Sequence, residues 1–147
     1  MKVTNRLAGL VAMLTFVTLA PAYADVTEKD IQVLGRAIGF IENGPSGTVS
    51  VAVVYADGDA ASQAAADAVT SLIGTGRSAG KLTMNAVSTA LGALSSADII
   101  LVPNGQASLY DAVKAATSSG KGISASADKA CAAAGACVIS VASDPKV

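Results

Sequence analysis

The sequence contains no histidine and no tryptophan among its 147 residues. The absence of histidine excludes a Ser-His-Asp or Cys-His nucleophile and the usual zinc sites. The letters Gly-x-Ser-x-Gly do occur at 76–80, but there they lead from a predicted helix into a predicted strand, the reverse of a nucleophile elbow. We therefore expect no catalytic residues, no metal, no cofactor and no enzyme activity.

Charged and aromatic residues are also scarce. Charged residues make up 14% of the chain, with 10 basic against 11 acidic residues, and no two basic residues are adjacent. Binding to a phosphate backbone needs a basic surface, so we expect no nucleic acid partner. Aromatic residues make up 3% of the chain, too few for a surface that stacks on bases or sugars.

The first 24 residues have the pattern of a cleaved secretory signal peptide. Lys2 and Arg6 make a basic start, residues 7–20 are largely apolar, and residues 22–24 (Ala-Tyr-Ala) form a small-x-small cleavage site. The apolar run is shorter than the roughly 20 residues that a membrane-spanning helix needs. We expect cleavage after Ala24, export to the periplasm and no membrane insertion of the mature chain.

Residues 25–147 alternate between segments typical of strands and of helices. Residues 48–55 are β-branched and almost continuously apolar, as in a parallel strand that is covered on both faces. A helical pattern follows at 61–73, and a second strong strand at 97–102 ends at Pro103. Short or weaker strands are predicted at 81–84 and 122–125, and a last clear strand at 137–141. Further helices are predicted at 25–41, 86–94, 107–117 and 128–134.

This alternation predicts a single three-layer α/β domain. We expect a mostly parallel sheet of about five strands with helices on both faces, joined by right-handed crossovers. The glycine-rich segment 74–80 is expected to be a flexible connection from a helix to a strand. It is not a dinucleotide-binding loop, because such a loop follows a strand and opens a helix.

Polar side chains follow three of the predicted strands. In an open parallel sheet, ligands meet the loops at the carboxyl ends of the strands. The side chains that could bind a ligand there are Asp57, Asp59, Asn104, Gln106, Ser126 and Asp128. Each group also fits a local role, because Asp and Ser cap helices and Asn-Gly is common in turns. Both interpretations stay open at this point.

Cys131 and Cys137 are the only cysteines. A signal peptide would place them in an oxidising compartment, where such a pair is normally joined. The bridge would stabilise the fold by roughly 2 kcal/mol on the loop-entropy estimate. The alternative is a redox-active or metal-binding pair, but the spacing is not Cys-x-x-Cys and no histidine is available as a further ligand.

Three stretches together resemble the YfiR family of small periplasmic proteins. They are the signal peptide with the amphipathic helix that follows it, the strand at 97–102, and the ending Gly-Ile-Ser-Ala-Ser-Ala-Asp at 122–128 with the strand at 138–141. Cys131 and Cys137 stand where some members carry a C-terminal disulfide. The chain differs from the family in three ways: Asn-Gly-Pro replaces a common Trp-Pro after the first helix, a second disulfide is missing, and the chain stops at Val147, where a further strand and helix are expected. A sequence truncated at its C-terminal end is therefore expected.

The resemblance implies a periplasmic regulator that is not an enzyme. Such a protein binds the sensor region of an inner-membrane diguanylate cyclase and holds it inactive, in some members as a homodimer. We expect its partner to contact an apolar face of the first helix at Leu34, Ile38 and Ile41, if that helix is not fully packed.

A competing interpretation comes from another class of protein. Residues 51–62 and 97–104 also look like one lobe of a periplasmic solute-binding protein of an ABC transporter, whose polar loops would contact the solute. Such proteins need two lobes and a hinge to close on a ligand, whereas residues 25–147 supply one lobe. We therefore prefer the regulator.

We predict that the protein released from the periplasm of a bacterium with an outer membrane begins at Asp25. The basic start, the apolar run and the small-x-small site are what signal peptidase recognises. Cell fractionation followed by intact mass measurement checks the cleavage site. Recovery of the unprocessed chain in the membrane fraction would contradict the prediction.

Overall fold

The computed structural model of the protein describes residues 25–141, so the predicted signal peptide and the chain end at Val147 lie outside the described residues. The helices are α1 (Glu28–Gly39), α2 (Ala60–Ile73), α3 (Tyr110–Ser118) and α4 (Lys129–Ala133). The strands are β1 (Gly47–Tyr55), β2 (Thr75–Ala79), β3 (Leu82–Ala90), β4 (Ile99–Val102), β5 (Ile123–Ser126) and β6 (Ile139–Ser140). Short 3-10 turns occupy Leu91–Ala93 and Ala107–Leu109. No helix in residues 25–141 is both long and apolar enough to cross a membrane.

The six strands form one sheet in the order β2-β3-β1-β4-β5-β6. All neighbouring strands are parallel except the antiparallel pair β2–β3. β1 lies inside the sheet and pairs with β3 along all nine of its residues and with β4 on its other side. The predicted α/β class and mostly parallel sheet are confirmed, with six strands instead of about five.

The additional strand lies in the glycine-rich segment that was expected to be a flexible connection. Gly74 has φ 65° and lets the chain turn out of α2, and Gly80 has φ 61° in the tight turn between β2 and β3. The pairing of β2 with β3 shifts register between Thr75 and Arg77, which is a bulge in this edge strand. The interpretation of 74–80 as a loop is therefore wrong.

The helix predicted at 86–94 is also wrong. β3 continues to Ala90, and only the turn Leu91–Ala93 follows it. The apolar residues in this segment have helical spacing, but Val87 and Thr89 are β-branched and favour an extended chain. Pairing with the whole length of β1 satisfies the backbone of β3 and outweighs the helical pattern.

Helices cover both faces of the sheet and form two separate cores. α1 and α2 pack with the larger core on one face, through residues such as Ile38 and Val69. α3 and α4 pack with the smaller core on the other face, through Val113 and Cys131. The alternation of side chains along β1 explains this division, because Val53 belongs to the first core and Val54 to the second. The predicted three-layer arrangement is confirmed.

α1 is a central element of the larger core. It contacts β2, β3 and also β6, which lies at the opposite end of the sheet, so the helix reaches both edges of the sheet. Leu34 is 4% exposed, Ile38 is fully buried, and Ile41 is partly buried against the same core. Leu34 and Ile38 are core residues and Ile41 packs against the same core, so these side chains do not form the exposed partner face that the sequence suggested.

Gly35 allows α1 to lie directly on β2. A Cβ atom at Gly35 would lie 2.3 Å from the Cβ of Ala79 and 3.1 Å from its carbonyl oxygen. We therefore predict that Gly35→Ala lowers the free energy of unfolding by about 1–3 kcal/mol, the usual cost of overpacking. Urea denaturation followed by circular dichroism measures the change.

Gly39→Ala is the matched control in the same helix. Its added Cβ would lie 3.8 Å from the Cβ of Lys81, an ordinary contact, so the substitution should be neutral or stabilise the helix by up to about 1 kcal/mol. Equal losses for the two variants would show that the contact of Gly35 with Ala79 does not limit how closely α1 approaches β2.

Candidate functional site

The loops after β1 and β4 diverge at the carboxyl edge of the sheet. From β1 the chain crosses through α2 to the β2–β3 side, whereas from β4 it crosses through α3 to β5 on the other side. A crevice opens where two such connections part, and open α/β sheets bind ligands there. The sequence predicted polar side chains in these loops, and the structure places them there.

Ser62 joins the loop after β1 to the loop after β4. It lies in the first turn of α2 and is 2% exposed. Its hydroxyl accepts a hydrogen bond from the amide of Ala56 at 2.9 Å and donates one to Oε1 of Gln106 at 2.8 Å. The Ser62 hydroxyl therefore has both a donor and an acceptor partner inside the protein, and the side-chain oxygen of Gln106 accepts a hydrogen bond there as well.

Asp128 joins the loop after β5 to the loop after β4. One carboxylate oxygen accepts from the amide of Ala130 at 2.9 Å and caps α4, and the other accepts from the amide of Gly105 at 3.0 Å. Buried Ser126 donates to the carbonyl of Val102 at 2.8 Å and accepts from the amide of Asp128 at 3.0 Å. These contacts hold the ends of β4 and β5 together.

The two aspartates after β1 are used in a similar way. Asp59 is the N-cap of α2 and accepts from the amide of Ser62 at 3.0 Å. Asp57 accepts from the amide of Gly92 at 3.0 Å, which ties the end of β1 to the connection that follows β3. Asn104 lies partly buried in the loop after β4. The loops were predictable from sequence, but their amide partners Gly92 and Gly105 carry no signal beyond being glycines next to turns.

The arrangement at this edge is a set of structural hydrogen bonds. These carboxylates stabilise the loops, because both oxygens of Asp128 and one oxygen each of Asp57 and Asp59 accept from the protein's own backbone amides. Within residues 25–141, no group of three or more Cys, Asp, Glu or His side chains could hold a metal ion.

A groove of about 550 Å³ lies on the face of the sheet that carries α3. One wall is α3 and the other is the connection from β3 to β4, beginning at Leu91. Asp57 lies at the carboxyl edge of the sheet and Lys121, just before β5, lies at the amino edge. The wall formed by α3 and the residues that flank it, called the α3 wall, consists of small exposed side chains: Ser108, Ala112, Ala115 and Ser119. Sequence reasoning missed this groove because it expected a helix at 86–94.

The two cysteines form the predicted disulfide. Cys131 in α4 is joined to Cys137, which lies shortly before β6, and no free cysteine remains. Cys131 is fully buried and both cysteines belong to the smaller core. The bridge therefore attaches α4 to the chain that enters the last described strand.

Comparisons of the chain with models of known protein families, with curated proteins and with solved structures give no significant match.

We predict that Ser62→Ala lowers the free energy of unfolding by about 1–3 kcal/mol. The substitution removes a buried hydroxyl and leaves the amide of Ala56 and Oε1 of Gln106 without this partner. The exposed Ser71 in the same helix is the control, and Ser71→Ala should change stability by less than about 0.5 kcal/mol. Thermal and urea denaturation measure the stability of both variants. Equal losses of unfolding free energy would show that the hydrogen bonds of Ser62 do not stabilise the fold.

Proposed function

We propose that the protein is a periplasmic regulator that acts by binding another protein and has no catalytic activity of its own. On the family resemblance, its partner is the periplasmic sensor region of an inner-membrane diguanylate cyclase, which it holds inactive. The signal peptide pattern and the Cys131–Cys137 disulfide support a location in an oxidising compartment.

The observation that carries this proposal is the open groove beside α3. Parallel strands are usually joined by a helix that covers the sheet, but the connection from β3 to β4 contains only a 3-10 turn. The groove that remains is lined mainly by apolar and small side chains. Exposed apolar concavities of this kind favour binding of a protein surface over binding of a polar solute.

The carboxyl-edge crevice favours the same conclusion. A solute-binding lobe needs side chains that are free to contact the solute, whereas Asp59, Ser126 and Asp128 bind backbone groups of the chain itself. The proposal therefore places partner binding on the face with the groove and assigns the crevice a structural role.

Deletion of the gene tests the proposal. Loss of a repressor releases the cyclase, so we predict that the cellular concentration of cyclic di-GMP rises in the deletion strain and returns to the parental value when the full chain is supplied. Mass spectrometric measurement of cyclic di-GMP in the three strains decides the question. A catalytically inactive cyclase in the same deletion background is the control and should abolish the rise.

An unchanged cyclic di-GMP concentration in the deletion strain would contradict the regulatory proposal. If a small solute in addition raised the melting temperature of the purified protein, and Asp57→Ala removed that rise, the solute-binding interpretation would replace it.

A further inference from the structure

We infer that the groove beside α3 is the docking site for one amphipathic helix of the partner, with the N-terminus of that helix at Asp57 and its C-terminus at Lys121. This inference rests on the proposed function, in that the protein works by binding another protein. Beyond that function, the inference specifies which surface of the protein binds the partner, that the partner binds with a helix, and in which direction that helix runs.

The groove follows the whole length of α3. It runs beside α3 from Ser108, near the carboxyl edge of the sheet, to Ser119, near the amino edge. At 1.5 Å per residue this stretch is roughly 16 Å long, which matches a helix of about three turns. A connecting helix between two parallel strands would run along this face in the same direction, from the carboxyl edge back to the amino edge. The bound helix would supply the layer that the chain itself leaves out.

The α3 wall allows a helix to approach closely. Ser108, Ala112, Ala115 and Ser119 follow one another at spacings of four, three and four residues and are all exposed. Side chains this small give short distances between helix axes. The two charged residues of α3, Asp111 and Lys114, do not line the groove. The floor is apolar and includes Leu109 and Ala116 of the smaller core.

The charges at the two ends of the groove determine the direction. A helix carries partial positive charge at its N-terminus and partial negative charge at its C-terminus. Asp57 is exposed and accepts one hydrogen bond, from Gly92, so its carboxylate can accept further bonds from the first amides of a bound helix. Lys121 donates one bond to the carbonyl of Leu94 and has further N–H donors for the last carbonyls. A helix that ran the other way would meet a like charge at both ends.

Photo-crosslinking in the native bacterium tests the inference with the full chain. A p-benzoylphenylalanine residue replaces Ala112 or Ala115 in the groove, and in the control it replaces Lys114, which is exposed on the same helix outside the groove. The crosslinked peptides are identified by mass spectrometry. We expect Ala112 and Ala115 to give adducts within one helical segment of a single partner protein, and Lys114 to give no such adduct.

The outcomes separate this inference from the proposed function. Adducts within one helix of a protein other than a diguanylate cyclase would support the docking site and contradict the proposed partner. A rise in cyclic di-GMP on deletion without groove-specific adducts would support the regulator and overturn the docking site. Adducts to a second copy of this chain, or equal labelling from Lys114, would also overturn it.

Three substitutions add further measurements. Ala112→Glu places a charged side chain in the groove, and we expect it to raise cyclic di-GMP as the deletion does while the melting temperature stays unchanged. Lys114→Glu is the matched control and should leave cyclic di-GMP at the parental value. Asp57→Asn should reduce the crosslinking yield at Ala112 by about two- to fivefold, which is the loss of affinity expected when one charge at a helix end is removed. An Ala112→Glu protein that is folded and represses normally would contradict the docking site.

Discussion

The length of β3 is the constraint on which the rest of the structure depends. Because β3 pairs with all nine residues of β1, it does not end until Ala90, and β4 begins at Ile99. Residues 91–98 can span at most about 27 Å when extended. They must cross β1 and return toward the amino edge of the sheet, and a crossover that includes a helix needs about a dozen residues. The chain therefore crosses with a single 3-10 turn, and one face of the sheet keeps an open groove.

The same connection links the groove to the carboxyl edge of the sheet. Gly92 donates its amide to Asp57, and a Cβ at Gly92 would lie 2.6 Å from a carboxylate oxygen of Asp57. The end of β1 and the start of the crossover are thus held in close contact. Further along, the carbonyl of Lys121 accepts from the amide of Ala97, and the Lys121 ammonium donates to the carbonyl of Leu94. Both ends of the connection are tied to the sheet, so the groove has two firm walls.

Sequence patterns predicted the elements whose signal is local. β1 and β4 were clear because their apolar runs are continuous, and Asp59 and Asp128 were recognisable as helix caps because a cap depends on neighbouring residues. β2 has no apolar run and depends on its pairing with β3, so its five residues looked like a loop. The bond between Ser62 and Gln106 joins residues 44 positions apart, and no local pattern carries that information. The groove was missed because a helix was expected at 86–94, whereas the pairing of β3 with β1 keeps the chain extended to Ala90.

The bulge in β2 also affects how the protein behaves at high concentration. An edge strand exposes unpaired amides and carbonyls to which the strand of another molecule can add. In β2 the register shift between Thr75 and Arg77 interrupts that row, Gly76 has φ 79°, and Arg77 brings a positive charge that pairs with Glu28 at 3.1 Å. A second copy would find no regular ladder to extend at this edge. The irregular strand therefore protects the protein against fibrous aggregation from this side of the sheet.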